Sequence, residues 1–191
     1  MSKANHASVW TEQGYSLFAE EGLDGIQVER LARILQLNKS GFYHYFGDMD
    51  VYCSELLRLH EKKVDNYFHE IRRIHTIDPE YFQVVAREKV IMMFHVQLLR
   101  CKNKPAFYKV AEMLDQKEGE ILSDLWNEYL GFNGNADLTL RYFDIVRDKF
   151  YTRVSLQNLT YEFVRDLLTE AKMLVQQMTE RDVTLHAGGT N

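Results

Sequence analysis

Between Gln27 and Phe46 the chain reads Gln-Val-Glu-Arg-Leu-Ala-Arg-Ile-Leu-Gln-Leu-Asn-Lys-Ser-Gly-Phe-Tyr-His-Tyr-Phe, and few architectures accept such a stretch. Val28, Leu31, Ala32 and Leu35 fall at i, i+3, i+4 and i+7, which gathers apolar side chains on one helix face and turns Glu29, Arg30 and Arg33 to water. Asn38 is a residue type that accepts hydrogen bonds from the free N–H groups of a following helix, so a second helix is expected from Lys39. Phe42 and Phe46 would anchor that helix, while Lys39, Ser40 and Gly41 give it a first turn of mostly short side chains. A helix-turn-helix sends the N-terminal residues of its second helix into the DNA major groove, and short side chains there let the backbone come close to bases and phosphates. Tyr43 and His44 fall off the buried stripe, with O–H and N–H donors suited to phosphate oxygens.

Upstream, Trp10, Gly14, Leu17 and Phe18 again follow helical spacing, which predicts a helix over 7–21, ended by Gly22 where a positive φ is commonly needed. Three helices are enough for a small shared core. These residues resemble the TetR family of bacterial transcriptional regulators: Leu17-Phe18-Ala19-Glu20-Glu21-Gly22, then Leu31-Ala32, then Leu37-Asn38-Lys39-Ser40-Gly41-Phe42-Tyr43-His44-Tyr45-Phe46. The likeness covers about the first quarter of the chain, and its aromatic ending is the most specific part. It implies an all-α protein with a helix-turn-helix DNA-binding domain over 1–47 and a larger helical effector-binding and dimerisation domain over 48–185. The Gly-rich tail over 186–191 is expected to be disordered.

The chain departs from the family pattern in three places. Gln36 stands where the family has Gly in the turn, and a left-handed conformation there would cost it about 1 kcal/mol. Gln27 replaces a Thr at the start of the first helix of the pair, keeping the capacity to bond a phosphate. After the aromatic run, Gly47-Asp48-Met49-Asp50 offers two acids where the family often has Lys; Asp48 reads as the cap of the next helix. Residues 1–63 hold seven Lys and Arg against nine Asp and Glu, a net −2, so no strongly basic footprint is present. Since phosphate neutralisation supplies most nucleic-acid affinity, binding by this region is expected to be modest and salt-sensitive unless Arg30, Arg33 and Lys39 cluster at the second helix N-terminus. As ordinary solvated charges the two arginines would read equally well.

Composition excludes several classes. Hydrophobic residues make up 46% of 191, ample for a core, and two prolines leave long helices unbroken. Cys53 and Cys101 form neither a disulfide framework nor a zinc pattern, and no metal or cofactor is expected. The start lacks a signal-peptide core and the longest apolar run, 90–94, is too short for a bilayer, which points to a cytoplasmic protein with no membrane partner. No Glu is followed by His at i+3 as a di-iron bundle needs, and no phosphate loop, His-Glu-x-x-His or nucleophile elbow occurs. No catalytic residue, and no enzyme, is therefore expected.

Beyond residue 47 the pattern is helical throughout. A long segment over 48–75 reads as the connector, Asp78-Pro79-Glu80 opens a helix that runs on to Leu99, and Asn103-Lys104-Pro105 opens another with a possible break at Gly119. Two helices over 138–156 and 161–178 carry broad apolar faces, Phe143, Val146, Phe150, Tyr151 and Val154 on one and Phe163, Leu167, Leu168, Leu174 and Val175 on the other. They suit either an intramolecular core or, as the resemblance implies, a four-helix homodimer interface, which would set two readers on successive major grooves about 34–36 Å apart.

The resemblance also implies an effector cavity. Met92, His95, Phe107, Tyr108, Met113, Trp126, Tyr129 and Tyr142 have the mixture of adaptable, aromatic and phenolic side chains such a cavity takes, which is equally the composition of a helical core. His95 reads first as a satisfied core histidine and second as an effector contact. The expected protein is a ligand-responsive regulator that binds double-stranded DNA, in the usual case a repressor released from its operator by a small apolar or amphipathic effector. The alternative is a helical homodimer whose DNA-binding domain has degenerated and which senses a small molecule or a protein partner.

Overall fold

A computed structural model describes the backbone of residues 3–101, 103–132 and 134–187, and the side chains of these except 3–6, 148 and 178–187. Among the described residues there are nine α-helices and no strand: α1 (Lys3–Glu21), α2 (Val28–Leu35), α3 (Lys39–Phe46), α4 (Met49–Ile71), α5 (Phe82–Arg87), α6 (Lys89–Arg100), α7 (Pro105–Leu130), α8 (Ala136–Arg153) and α9 (Tyr161–Ala187). A 3₁₀ turn (Gly22–Gly25) follows α1 and a π turn (Ile77–Tyr81) precedes α5. The all-α class expected from the spacing is the one observed. Of the tail over 186–191, the first two residues continue α9 and 188–191 lie outside the described residues.

The chain divides into two compact units, residues 1–73 with 88–121 and residues 74–87 with 122–191. In the first unit, α1 packs along α6 and against α4 and α2. Its apolar stripe is sealed: Trp10, Leu17 and Phe18 are 0%, 5% and 1% exposed. Phe94 of α6 is sandwiched between rings, 4.2 Å from Tyr15, 4.3 Å from Phe18 and 4.5 Å from His60 of α4. Where α1 crosses the start of α4, the Tyr52 hydroxyl donates to the Trp10 carbonyl oxygen at 2.7 Å. Gly14 makes that approach possible, since a Cβ there would lie 1.8 Å from the Tyr52 oxygen.

In the second unit α9 packs against α8 and α5. Trp126 is the hub of its aromatic cluster, with Tyr81, Tyr129, Tyr142 and Phe143 at ring-centroid distances of 5.3–5.9 Å. The Lys172 ammonium lies 4.8 Å from the Tyr129 ring centre and donates to the Tyr129 carbonyl oxygen.

Three local expectations are corrected. The helix expected from Asp78 to Leu99 is interrupted at Glu88, because its first part packs on α9 and its second on α1, in different units. Asp78 is extended within the π turn and its carboxylate accepts from the Tyr161 hydroxyl at 2.7 Å rather than capping a helix. Gly119 does not break α7: it is exposed, and one glycine costs a long helix only about 1 kcal/mol.

Candidate nucleic-acid interface

The turn between α2 and α3 is left-handed in spite of carrying Gln rather than Gly. Gln36 adopts φ 56°, ψ 39°, the left-handed cap of α2, and its N–H bonds back to the Arg33 carbonyl, as that of Leu37 does to Ala32. Asn38 takes the extended N-cap conformation ahead of α3, but its side chain accepts no hydrogen bond from the helix, so its capping role is carried by the backbone alone. Its carboxamide is left exposed. Asp48 caps α4 as expected, its Oδ1 accepting from the Val51 N–H at 2.9 Å. Gly22 closes α1 at φ +70°.

One face of α3 is locked into the core and the other is bare. Phe42 is 0% and Phe46 5% exposed, packed on Trp10 at 5.6 Å and on Tyr52 at 4.9 and 4.8 Å respectively. Lys39, Ser40, Tyr43 and His44 are exposed, and Gly41 is half-buried, 4.0 Å separating a Cβ built on it from Trp10 Cζ2. Tyr43 is 52% exposed with its ring edge-on to Phe42 at 5.5 Å, which directs the phenol outward from a fixed base. Small residues, a lysine, a phenol and an imidazole thus share one solvent-facing surface at the start of a short helix whose free N–H groups favour anions.

The cations of this surface are not bare. The Arg30 guanidinium makes two bonds of 2.5 Å to the Glu21 carboxylate, and the Lys39 ammonium sits 3.0 Å from Glu29 Oε1. These bonds hold both carboxyls below their usual range and make Arg30 a still weaker acid. Arg33 is exposed and makes no ion pair among the described residues. Gln27 is exposed, but its amide donates to the Asp24 carbonyl at 3.4 Å. The structure therefore brings Lys39, Ser40, Gly41, Tyr43 and His44 together on α3 and places Gln27, Arg30 and Arg33 on or before α2. Of the three cations that could have formed a cluster, Arg30 and Lys39 are in ion pairs and Arg33 is a solvated charge.

Sequence reading missed Glu21 and Glu29, whose partners lie nine and ten residues away across turns where no periodicity pairs them. It also missed Tyr15–His60, a hydroxyl-to-Nδ1 bond of 2.8 Å between fully packed helices. Burial holds His60 neutral, well below the ordinary histidine pKa, and its Nε2 has no hydrogen-bond partner among the described residues.

The eight residues expected around an effector fall into both units. Met92, His95, Phe107, Tyr108 and Met113 belong to the first, where Phe107 is buried against Phe18, and His95 bonds Asp115 at 2.8 Å. Tyr108 and Met113 are exposed, Met113 on an open groove of about 480 Å³ bordered by Glu61, Asp65 and Lys117. Trp126, Tyr129 and Tyr142 belong to the second unit, where they pack together. Asp65, spaced i and i+4 from His69, pairs instead with Lys117 at 3.2 Å. No helix among the described residues is long and apolar enough to cross a membrane.

Residues 11–51, the span from α1 through the start of α4, match the family model described as bacterial regulatory proteins, tetR family. The search of curated proteins returns no significant match. Over its length the chain is similar to the crystal structure of a transcriptional regulator (TerR/AcrR family) from Aquifex aeolicus VF5. The identity is 18%, the TM-score 0.57, and 90% of this chain and 98% of that one are covered, a likeness of fold. The helix-turn-helix segment of the chain is thus similar to that of the tetR family of bacterial regulatory proteins, and the chain as a whole is similar in fold to one solved regulator.

Proposed function

We propose that the protein is a ligand-responsive DNA-binding transcriptional regulator acting as a homodimer. One observation carries this: α3 is fixed by Phe42 and Phe46 while Lys39, Ser40, Tyr43 and His44 share its free face. A core-anchored helix with a small, polar, outward first turn is what major-groove docking requires. The apolar residues left open on α8 and α9 support the dimer, and repression relieved by a small apolar or amphipathic effector completes the reading, in a cytoplasmic setting. Effector binding would act as a population shift, changing the placement of the two α3 helices through α4.

The test is an electrophoretic shift of DNA from the region upstream of the protein's own gene, at low salt. Binding is expected, with Lys39→Ala and Tyr43→Phe together weakening it by about 1–3 kcal/mol. Absence of any shifted fragment at low ionic strength would sink the regulator reading. The ion pairs on Arg30 and Lys39 favour one other reading, a dimeric sensor whose DNA-binding surface has lost its function, and that same absence would support it.

A further inference from the structure

Lys39 is the first residue of α3, and in the free protein its ammonium is already occupied, 3.0 Å from Glu29 Oε1 on α2. Both side chains are open to water, 54% and 68% exposed, and the carboxyl is held below its usual range by the lysine N–H. An exposed pair of this kind contributes little to folding and exchanges partners readily. The neighbouring pair is built differently. Glu21 meets Arg30 through two bonds, and it is packed over Gly25, where an added Cβ would lie 2.7 Å from Glu21 Cβ and 3.4 Å from its Oε2. That geometry fixes the carboxylate, so Arg30–Glu21 ties the end of α1 to α2, whereas Lys39–Glu29 is free to open.

Resting on the DNA-binding reading, we propose that Glu29 is a resident counter-ion of the recognition helix, which a DNA phosphate must displace before Lys39 can make a backbone contact. The exchange of one carboxylate for one phosphate lowers the gain from the contact in two ways. Lys39 gives up an existing partner, and Glu29 stays beside the incoming phosphate as a like charge. It also blunts the salt response, since a lysine already neutralised by a carboxylate binds without the full release of DNA counter-ions. Glu29 is thus a positioning residue that tunes the interface toward weak, readily reversed binding.

The test is fluorescence anisotropy of the full-length protein with a labelled duplex from the region upstream of its own gene, from about 50 to about 200 mM salt. Glu29→Gln keeps the size and removes the charge at an exposed position. It is expected to tighten binding about fivefold and to steepen the slope of log affinity against log salt by about one. On a Lys39→Ala background the same substitution is expected to bring a clearly smaller gain, since only the like-charge repulsion is left to relieve, and Glu21→Gln is expected to bring no gain. If Glu29→Gln leaves a DNA-binding wild type unchanged, the proposal falls and the regulator reading stands. An equal gain on the Lys39→Ala background also overturns it, by showing that Glu29 acts as a general negative charge. If neither wild type nor Glu29→Gln binds any duplex, both readings fall together, whereas binding by the variant alone supports both.

Discussion

The front helices α1 to α4 and the rear pair α8 and α9 differ in how completely their aromatic residues are covered. At the front, Trp10, Phe42 and Tyr52 are all 0% exposed and the aromatic contacts close on themselves, while the apolar side chains that remain open, Val9, Ile34, Leu37 and Val51, lie apart from that cluster at 37–46% exposure. At the rear, Val154, Leu167, Leu168 and Val175 are buried, but Leu140 is 65%, Met173 50% and Leu174 37% exposed, and Phe143, Val146, Phe150, Tyr151 and Phe163 are only half covered. The difference separates two kinds of partner. A helix anchored in a sealed core with Lys39, Ser40, Tyr43 and His44 turned outward suits a charged, hydrated ligand, while a broad apolar face left open has hydrophobic burial still to gain from another apolar face.

The sharpest way to break the front half of that comparison is to overfill it. Gly14→Ala places a methyl where the Tyr52 hydroxyl lies, and neither α1 nor α4 can shift without disturbing Trp10, Phe42 and Phe46. A loss of about 3 kcal/mol in urea unfolding is expected. An unchanged midpoint would mean that the front core is looser than its contacts imply. At the rear the expected effect is next in size and differs in kind. Leu140→Asp, at a position 65% exposed, should leave the fold of one chain intact and weaken self-association by about 2 kcal/mol, read by sedimentation across a concentration series. If the variant associates as the wild type does, the open face on α8 is not the dimer's.

The same contrast explains what the sequence made legible. Phe42 and Phe46 were legible as buried because they share one stripe, which local spacing decides; the left-handed Gln36 was not, since Gln there argued for a turn different from the family's and the structure keeps the left-handed cap all the same. The pairing of Glu29 with Lys39 and of Glu21 with Arg30 was illegible because it depends on how two helices cross a turn. Gly119 read as a break because glycine is a poor helix former, yet packing by Ala111, Leu114, Leu122 and Trp126 on either side keeps α7 continuous. The effector candidates scattered over two units for the same reason: residue type and period place a side chain on a helix face without saying which neighbour the face meets. Gly14 was legible as part of the apolar stripe and illegible as the notch for Tyr52.

His60 is a polar group set inside the front core, and it offers a milder test of how complete the seal is. His60 is 0% exposed between Tyr15 and Phe94, with His95 5.9 Å away. Burial lowers its pKa well below 6.5, with His95 adding to the effect. The unfolded chain therefore binds a proton there that the folded chain refuses. Stability from this group is fully present above pH 6.5 and declines as pH falls below it, by up to about 1.4 kcal/mol per pH unit until the folded-state value is reached. Urea midpoints near neutrality and about pH 5 measure the decline. His60→Gln should remove it, and a wild-type midpoint that does not fall with acidification would show that the site admits the proton.

The smallest effect expected concerns Gly41, where the two demands on α3 meet. Its φ is not positive, and an added Cβ would make only ordinary contact with Trp10, so Gly41→Ala should raise stability by about 0.5–1 kcal/mol through the better helix former. If DNA lies against the bare backbone of the first turn, the same methyl stands in its way, and affinity should drop about threefold to tenfold while the melting temperature rises. The opposite signs are the point of the measurement, because a variant that merely damaged the fold would lose both. An affinity that rises or holds with the stability would place the DNA farther from Gly41 and leave the work of recognition to Lys39, Ser40, Tyr43 and His44.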